Sequence, residues 1–184
     1  EYREIGNTGM KASVVGLGAE HLDKKPYEQV ERTLHAAMDK GVNIMDAFMP
    51  GAEVRTNIGK ALKGRRDKML IQGHICSTDL NEQYDQSRDL DTCKKYFDKL
   101  FQCLDTDYID LGMIYLVDNQ KDYDAVINNG ILEYMQQQKK DGRIRAIGVS
   151  SHNPAIAKQY VENGYVDTMM FSINPAFDIM AADL

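Results

Sequence analysis

Three side chains capable of acid–base chemistry close strand-like runs in this 184-residue chain. Asp46 ends Val42-Asn43-Ile44-Met45-Asp46, His74 follows Lys68-Met69-Leu70-Ile71-Gln72-Gly73, and Tyr115 ends a run that starts at Tyr108. A carboxylate, an imidazole and a phenol are ordinary proton carriers, and each works only within hydrogen-bond reach of the atom it serves. His21 and His152 add two imidazoles, so His21, Asp46, His74 and His152 could also gather as zinc or iron ligands. Their long-range spacing supplies no local metal motif, and no metal is assigned to them. Plainer readings apply nearby. His35 lies inside a helix as a partly exposed surface residue, and His21 and His152 sit in loops as solvated histidines. Lys139-Lys140-Asp141-Gly142-Arg143 reads as a solvated helix end. Gly16 and Gly18 form a lone GxG without the rest of a dinucleotide fingerprint, which points to a tight strand exit.

For these groups to meet, the intervening segments must bring strand ends to one rim. The chain opens as a hairpin, with Tyr2-Arg3-Glu4-Ile5 and Met10-Lys11-Ala12-Ser13 flanking the turn Gly6-Asn7-Thr8-Gly9. An apolar strand is predicted over 14–19. Val30, Leu34, Ala37 and Met38 then form one stripe of a helix over 27–40, stopped by Gly41. Strand 42–46, helix 52–62 and strand 68–72 follow. A polar stretch from Ser77 to Asp89 leads into a helix over 90–104. Strand 108–115, helix 122–140 and strand 144–149 come next. Asn153-Pro154 caps a helix that ends at Asn163-Gly164, and the last strand covers 168–173. Six β units with five intervening helices imply a parallel sheet covered by helices. Periodicity leaves a doubly wound sheet and a (β/α)₈ barrel equally open.

Composition narrows the function classes. Hydrophobic residues make up 43% and charged residues 27% of the chain, an ordinary globular balance. A net charge of −6 and a pI near 5.2 disfavour nucleic acid and anionic membrane as partners. No apolar run approaches the ~20 residues that span a bilayer, and the N-terminus has no signal-peptide pattern. Cys76, Cys93 and Cys103 lack CxxC spacing and read as reduced thiols, which suits a cytoplasmic location.

Local text chooses between the architectures. Tyr2-Arg3-Glu4-Ile5-Gly6-Asn7-Thr8-Gly9 with Gly16-Leu17-Gly18, the Asp46 strand end and Asn57-Ile58-Gly59-Lys60-Ala61-Leu62 before Arg65-Arg66 occur in order. Asp107-Tyr108-Ile109-Asp110-Leu111 and Gly142-Arg143-Ile144-Arg145-Ala146-Ile147-Gly148-Val149-Ser150-Ser151 complete the series. Together these resemble the aldo-keto reductases across nearly the whole chain. The phrasing is most similar to a bacterial branch whose members often carry a ferredoxin-like iron–sulfur module after the barrel. The resemblance implies an α/β fold, a (β/α)₈ TIM barrel with an N-terminal hairpin plugging its bottom. About six βα units are present, as a single domain over 1–184 that is C-terminally incomplete, since such barrels run to ~250 residues.

It also implies an oxidoreductase, with NADPH-dependent reduction of a small-molecule carbonyl. The cofactor expected is NADP(H), although the region that holds most of its phosphate contacts in the family is absent here. An iron–sulfur cluster is expected only in a further C-terminal module, with a redox partner as the corollary. Asp46 matches the family aspartate. The family tyrosine falls in Met49-Pro50-Gly51, where no phenol exists; the lysine falls on His74 and the histidine on Tyr115. The set Asp46, His74 and Tyr115 therefore carries either permuted chemistry, with Tyr115 or His74 giving the proton and Asp46 polarising His74, or a non-redox role in binding a ligand, metal or partner. Ser150 and Ser151 match positions that hold the nicotinamide carboxamide, and Asn174 is the third expected cofactor residue.

Overall fold

The structure, a computed structural model, describes residues 1–81 and 85–173. Strands β1 (Tyr2–Glu4) and β2 (Lys11–Ser13) pair antiparallel as the predicted hairpin. At its turn Gly6 takes φ +48, and a side chain there would meet the Asp167 carbonyl at 2.7 Å. The predicted strand over 14–19 shrinks to β3 (Leu17–Gly18), because Val14 and Val15 stay exposed and have no sheet face to cover.

Beyond the hairpin, strand and helix alternate. The order is α1 (Tyr27–Asp39), β4 (Ile44–Ala47), α2 (Ala52–Ala61), β5 (Leu70–Ile75), β6 (Ser77–Thr78), β7 (Asp85–Gln86) and α3 (Leu90–Leu104). Then come β8 (Ile109–Ile114), α4 (Gln120–Asn128), α5 (Ile131–Lys140), β9 (Ile144–Ser151), α6 (Pro154–Glu162) and β10 (Thr168–Phe171). The main sheet has the order β10-β9-β8-β5-β4-β3, and all of its pairs are parallel. With helices packed against it, this is a (β/α)₈ barrel present in part. The expected single helix over 122–140 is two, broken where Gly130 adopts φ +78 behind Asn129. The polar stretch over 77–89, for which no element was predicted, carries the short antiparallel ribbon β6–β7.

Residue alternation along each strand separates two apolar layers. Met45, Ala47, Ile71, Ile75, Ile114, Ile147 and Val149 are buried in the large core that includes the helices. The other face carries a small cluster of Met10, Leu111, Met113 and Ala146, with Ile5, Ile44, Leu70 and Met170 packed against it. Ile5 and Met10 come from the hairpin, which therefore caps this inner face as expected. At the lower end Asp110 is buried at 2% exposure. It accepts from Ile71 N at 3.0 Å, Arg66 Nη2 at 2.9 Å and Arg145 Nη1 at 2.9 Å.

Helix starts follow their sequence signals. Asp89 accepts from Thr92 N at 2.8 Å ahead of α3, and Asn153 accepts from Ala155 N at 2.9 Å ahead of Pro154 and α6. Helices α2 and α3 cross closely at Gly59, where a Cβ would lie 2.6 Å from Leu104 O. Among the described residues, no helix is long and apolar enough to cross a membrane.

Candidate active site at the strand ends

The same alternation that makes the inner apolar layer continues upward into polar residues. Ile44 and Asp46 share a face of β4, Leu70, Gln72 and His74 a face of β5, and Leu111 and Met113 lead to Tyr115. On β9, Ala146 and Gly148 lead to Ser150. Gly148 leaves room there for its neighbours, since a Cβ would lie 2.8 Å from Met113 Cε and 2.9 Å from Thr168 Cγ2. Parallel pairing sets Asp46 beside Gln72 and His74 beside Met113, so the polar ends gather at one rim.

His74 is the best-defined group. It is 2% exposed, and its Nε2 lies 2.8 Å from Asp46 Oδ1. A carboxylate can only accept, so the ring proton belongs on Nε2. That leaves Nδ1 as a buried atom with no hydrogen-bond partner among the described residues. An orphaned ring nitrogen is costly unless a ligand or solvent atom serves it.

Aromatic packing fixes the imidazole. Tyr115 meets His74 edge-on, with centroids 5.6 Å apart and planes at 79°. Phe48 stacks on Tyr115 at 5.8 Å and 5°, and also meets His74 edge-on at 6.3 Å. The Phe48 carbonyl accepts from Ser77 Oγ at 2.8 Å, tying this loop to β6. Burial pushes the Tyr115 phenol above its ordinary value, and the negative charges of Asp46 and Glu20 push the same way. Tyr115 thus holds its proton firmly.

Ser150 and Ser151 differ despite their adjacency. Ser150 Oγ accepts from Leu116 N at 2.8 Å, and its own hydroxyl proton has no acceptor among the described residues. Ser151 Oγ donates to Val117 O at 2.7 Å and accepts from Asn153 N at 3.1 Å, which engages its proton in the turn before α6. Beside them, His152 N donates to Asp118 Oδ1 at 2.6 Å, and His152 Nδ1 lies 2.9 Å from Asp118 Oδ2, with 63% of the imidazole side chain exposed.

These residues border a cavity of about 380 Å³, lined by Asp46, Phe48, His74, Tyr115, Ser150 and Ser151, with Leu116, His152, Met170 and Ser172 completing it. Asp46, His74, Tyr115, Ser150 and Ser151 thus border one cavity, while Asn174 lies outside the described residues. Phe48, Leu116, Met170 and Ser172 were missed. Alternation held a signal for two of them, since Phe48 shares the face of Asp46 and Ser172 that of Met170. The structure pairs Asp46 with His74 but does not gather His21 and His152 with them: among the described residues, no group of three or more His, Cys, Asp or Glu side chains is placed to hold a metal ion. His21 is exposed, and His152 is engaged by Asp118. His35 is partly buried, with Nε2 2.8 Å from Ala61 O, consistent with its plain reading.

Comparison with known proteins completes the picture. The model of the Aldo/keto reductase family matches residues 14–177. Aldo-keto reductase YhdN of Bacillus subtilis is 28% identical over 163 residues, covering 82% of this chain and 47% of that protein. L-galactose dehydrogenase of Arabidopsis thaliana is 26% identical over 158 residues, covering 82% and 48%. The chain spans about half the length of the curated relatives it matches. Among solved structures, aldo-keto reductase AKR11C1 from Bacillus halodurans in its holo form superposes with a TM-score of 0.81 at 23% identity, covering 94% of this chain and 57% of that one. Glycerol dehydrogenase AKR11B4 from Gluconobacter oxydans gives 0.79 at 22% identity, covering 100% and 58%.

Proposed function

The chain belongs to the aldo/keto reductase family, and on that premise we propose that it serves NADPH-dependent reduction of a small-molecule carbonyl, with His74 as the proton carrier. The observation that carries this reading is the 2.8 Å contact of His74 Nε2 with Asp46 Oδ1 in a side chain that lines the cavity, with Nδ1 buried and without a partner among the described residues. Bound nicotinamide would supply hydride to the carbonyl carbon. The residues present fit that cofactor in part: the free hydroxyl proton of Ser150 suits a carboxamide oxygen, whereas Ser151 shapes the turn beneath it.

The protein's own part is the proton. In the neutral ring Nε2–H points at Asp46 and Nδ1 offers a lone pair. On protonation the imidazolium donates from both nitrogens, one bond going to Asp46 and the other to the substrate oxygen. The carboxylate stabilises that cation and fixes the ring's orientation, the role an acid plays behind a catalytic histidine. Tyr115, whose phenol is held protonated, donates a hydrogen bond to the same oxygen without giving up its proton. Phe48 and Tyr115 keep water away from the imidazole, which strengthens each of these interactions. The setting we propose is cytoplasmic.

The test is His74→Gln beside Tyr115→Phe, read by nicotinamide absorbance across a panel of aldehydes and ketones. Loss of a general acid predicts a fall of roughly 10²–10⁴ in kcat for His74→Gln, with NADPH affinity unchanged. A neutral His74→Gln with an inactive Tyr115→Phe would transfer the acid role to Tyr115. Absence of saturable NADPH binding by nicotinamide fluorescence, up to high micromolar cofactor, would overturn the reductase reading itself. The coplanar Phe48–Tyr115 pair favours one second reading, recognition of a flat ligand without chemistry. It predicts ligand affinity that falls with Phe48→Ala in a protein that never consumes NADPH.

A further inference from the structure

Behind the mouth, Cys76 and Cys93 are both buried with their Sγ atoms 3.5 Å apart. Cys76 follows β5 at φ +73, a backbone region that a residue with a Cβ enters only at a cost. Cys93 sits in the first turn of α3, where its Sγ also donates to Ser87 O at 3.2 Å. Arg88 closes the group. Its Nη2 donates to Leu116 O at 2.7 Å and Gln86 Oε1 at 3.1 Å and its Nε lies 3.4 Å from Asp122 Oδ1, while its buried Nη1 has no hydrogen-bond partner among the described residues. Burial pushes the Cys76 thiol up, but the Cys93 thiol and the Arg88 guanidinium outweigh it and bring Cys76 below its ordinary value. The hydrogen bond to Cys76, with burial, pushes Cys93 the other way. Two thiols with opposite tendencies, next to an orphaned guanidinium nitrogen, form an asymmetric pair: one suited to attack and one to resolve.

We propose that Cys76 and Cys93 form a redox-active dithiol that a small hydroperoxide converts to a disulfide joining the end of β5 to the first turn of α3. Cys76 Sγ attacks the O–O bond of hydrogen peroxide; an S–O bond forms, the O–O bond breaks, and the departing hydroxide leaves as water with the proton given up by Cys76. Cys93 Sγ then displaces the sulfenic oxygen, which departs as a second water carrying the Cys93 proton. The two electrons that reduce the peroxide come one from each sulfur. The adjoining ribbon is short, Ser77–Thr78 against Asp85–Gln86, so local opening gives the oxidant its path. None of this depends on the reductase reading, because the thiols lie outside the cavity lining.

The experiment treats the reduced native chain with stoichiometric hydrogen peroxide, then alkylates and maps it. The expected result is loss of two of the three thiols, a mass lower by two hydrogen atoms, and a linked peptide holding Cys76 and Cys93. Cys103→Ser should leave this unchanged, and Arg88→Gln should slow the loss roughly tenfold. Survival of all three thiols in native buffer overturns the proposal. So does a linkage that forms only in urea, or oxidation confined to Cys103. Should Arg88→Gln fail to fold, the linked peptide from the unsubstituted chain decides alone.

Discussion

Replacing Asp110 by alanine probes the lower end of the sheet, where one buried carboxylate gathers three donors. Two of them bond to Oδ2: Ile71 N at 3.0 Å and Arg66 Nη2 at 2.9 Å, with the Arg66 side chain only 17% exposed. The third, Arg145 Nη1 at 2.9 Å on Oδ1, belongs to a side chain 51% exposed. Alanine leaves a buried amide without an acceptor, which costs about 1–3 kcal/mol. It also leaves a mostly buried guanidinium without its carboxylate, the dominant part of a loss that runs to about 3–5 kcal/mol when a buried pair is broken. The Arg145 bond adds at most about 1 kcal/mol, since solvent screens it. The overlapping contributions give about 4 kcal/mol for Asp110→Ala. Asp110→Asn should cost less, about 1–2 kcal/mol, because its one amide oxygen can replace Oδ2 while its NH₂ turns toward Arg145, which is free to swing into solvent. Urea unfolding followed by circular dichroism measures both, with an unchanged slope confirming a native-state effect. The reasoning fails if Asp110→Ala loses less than about 1 kcal/mol, or if Arg145→Ala costs more than Asp110→Asn.

Gly59→Ala should destabilise by about 2 kcal/mol despite alanine's higher helix propensity, because the Leu104 backbone at 2.6 Å cannot yield; the melting temperature reads it as a fall of roughly 4–8 °C. Asn153→Ala removes the α6 cap and should cost about 1 kcal/mol in urea unfolding. Tyr160→Phe deletes a buried hydroxyl with no partner among the described residues, so its stability at pH 7 should equal or exceed the parent's by up to about 1 kcal/mol. Alkaline pH supplies a separate check on the same residue. Burial raises the Tyr160 phenol above its ordinary 10.0, so the folded state keeps a proton that the unfolded chain releases. The stability present below pH 10 is therefore lost as pH rises above it. Tyr160→Phe lacks this loss, so its margin over the parent should widen as pH rises above 10, and parallel curves would contradict it.

How far the sequence reveals the site depends on range. Asp46, His74, Tyr115 and Ser150 could be read because alternation puts every second residue on one face and strand ends bring those faces to one rim. Phe48 obeys the same rule, but an aromatic after an acid looks like core and hides its role as the wall of the imidazole. The Cys76–Cys93 contact and the Arg66–Asp110–Arg145 cluster had no such signal. Their members lie on different elements, and only the packed order of β5, β8 and α3 brings them together. The division of 122–140 into α4 and α5 was half visible: Asn129-Gly130 is a turn text, but the helical stripe on both sides concealed it. The ribbon β6–β7 was not legible at all, because its two-residue strands are too short to show a period.

The hydroxyl oxygen of Ser150 is committed before any ligand arrives. It holds Leu116 N at 2.8 Å, and the Ser150 carbonyl holds Val117 N at 2.9 Å, so one side-chain and one backbone acceptor of the same residue clamp the segment directly after Tyr115. Leu116 itself sits at φ +48, a strained setting that those bonds help to maintain. A guest that competes for this oxygen loosens the clamp and shifts the phenol; one that takes only the hydroxyl proton polarises the oxygen and tightens it. Thermodynamic reciprocity then requires that whatever seats Tyr115 against a substrate also improves the grip at Ser150. Ser150 is thus tied directly to the segment that carries Tyr115.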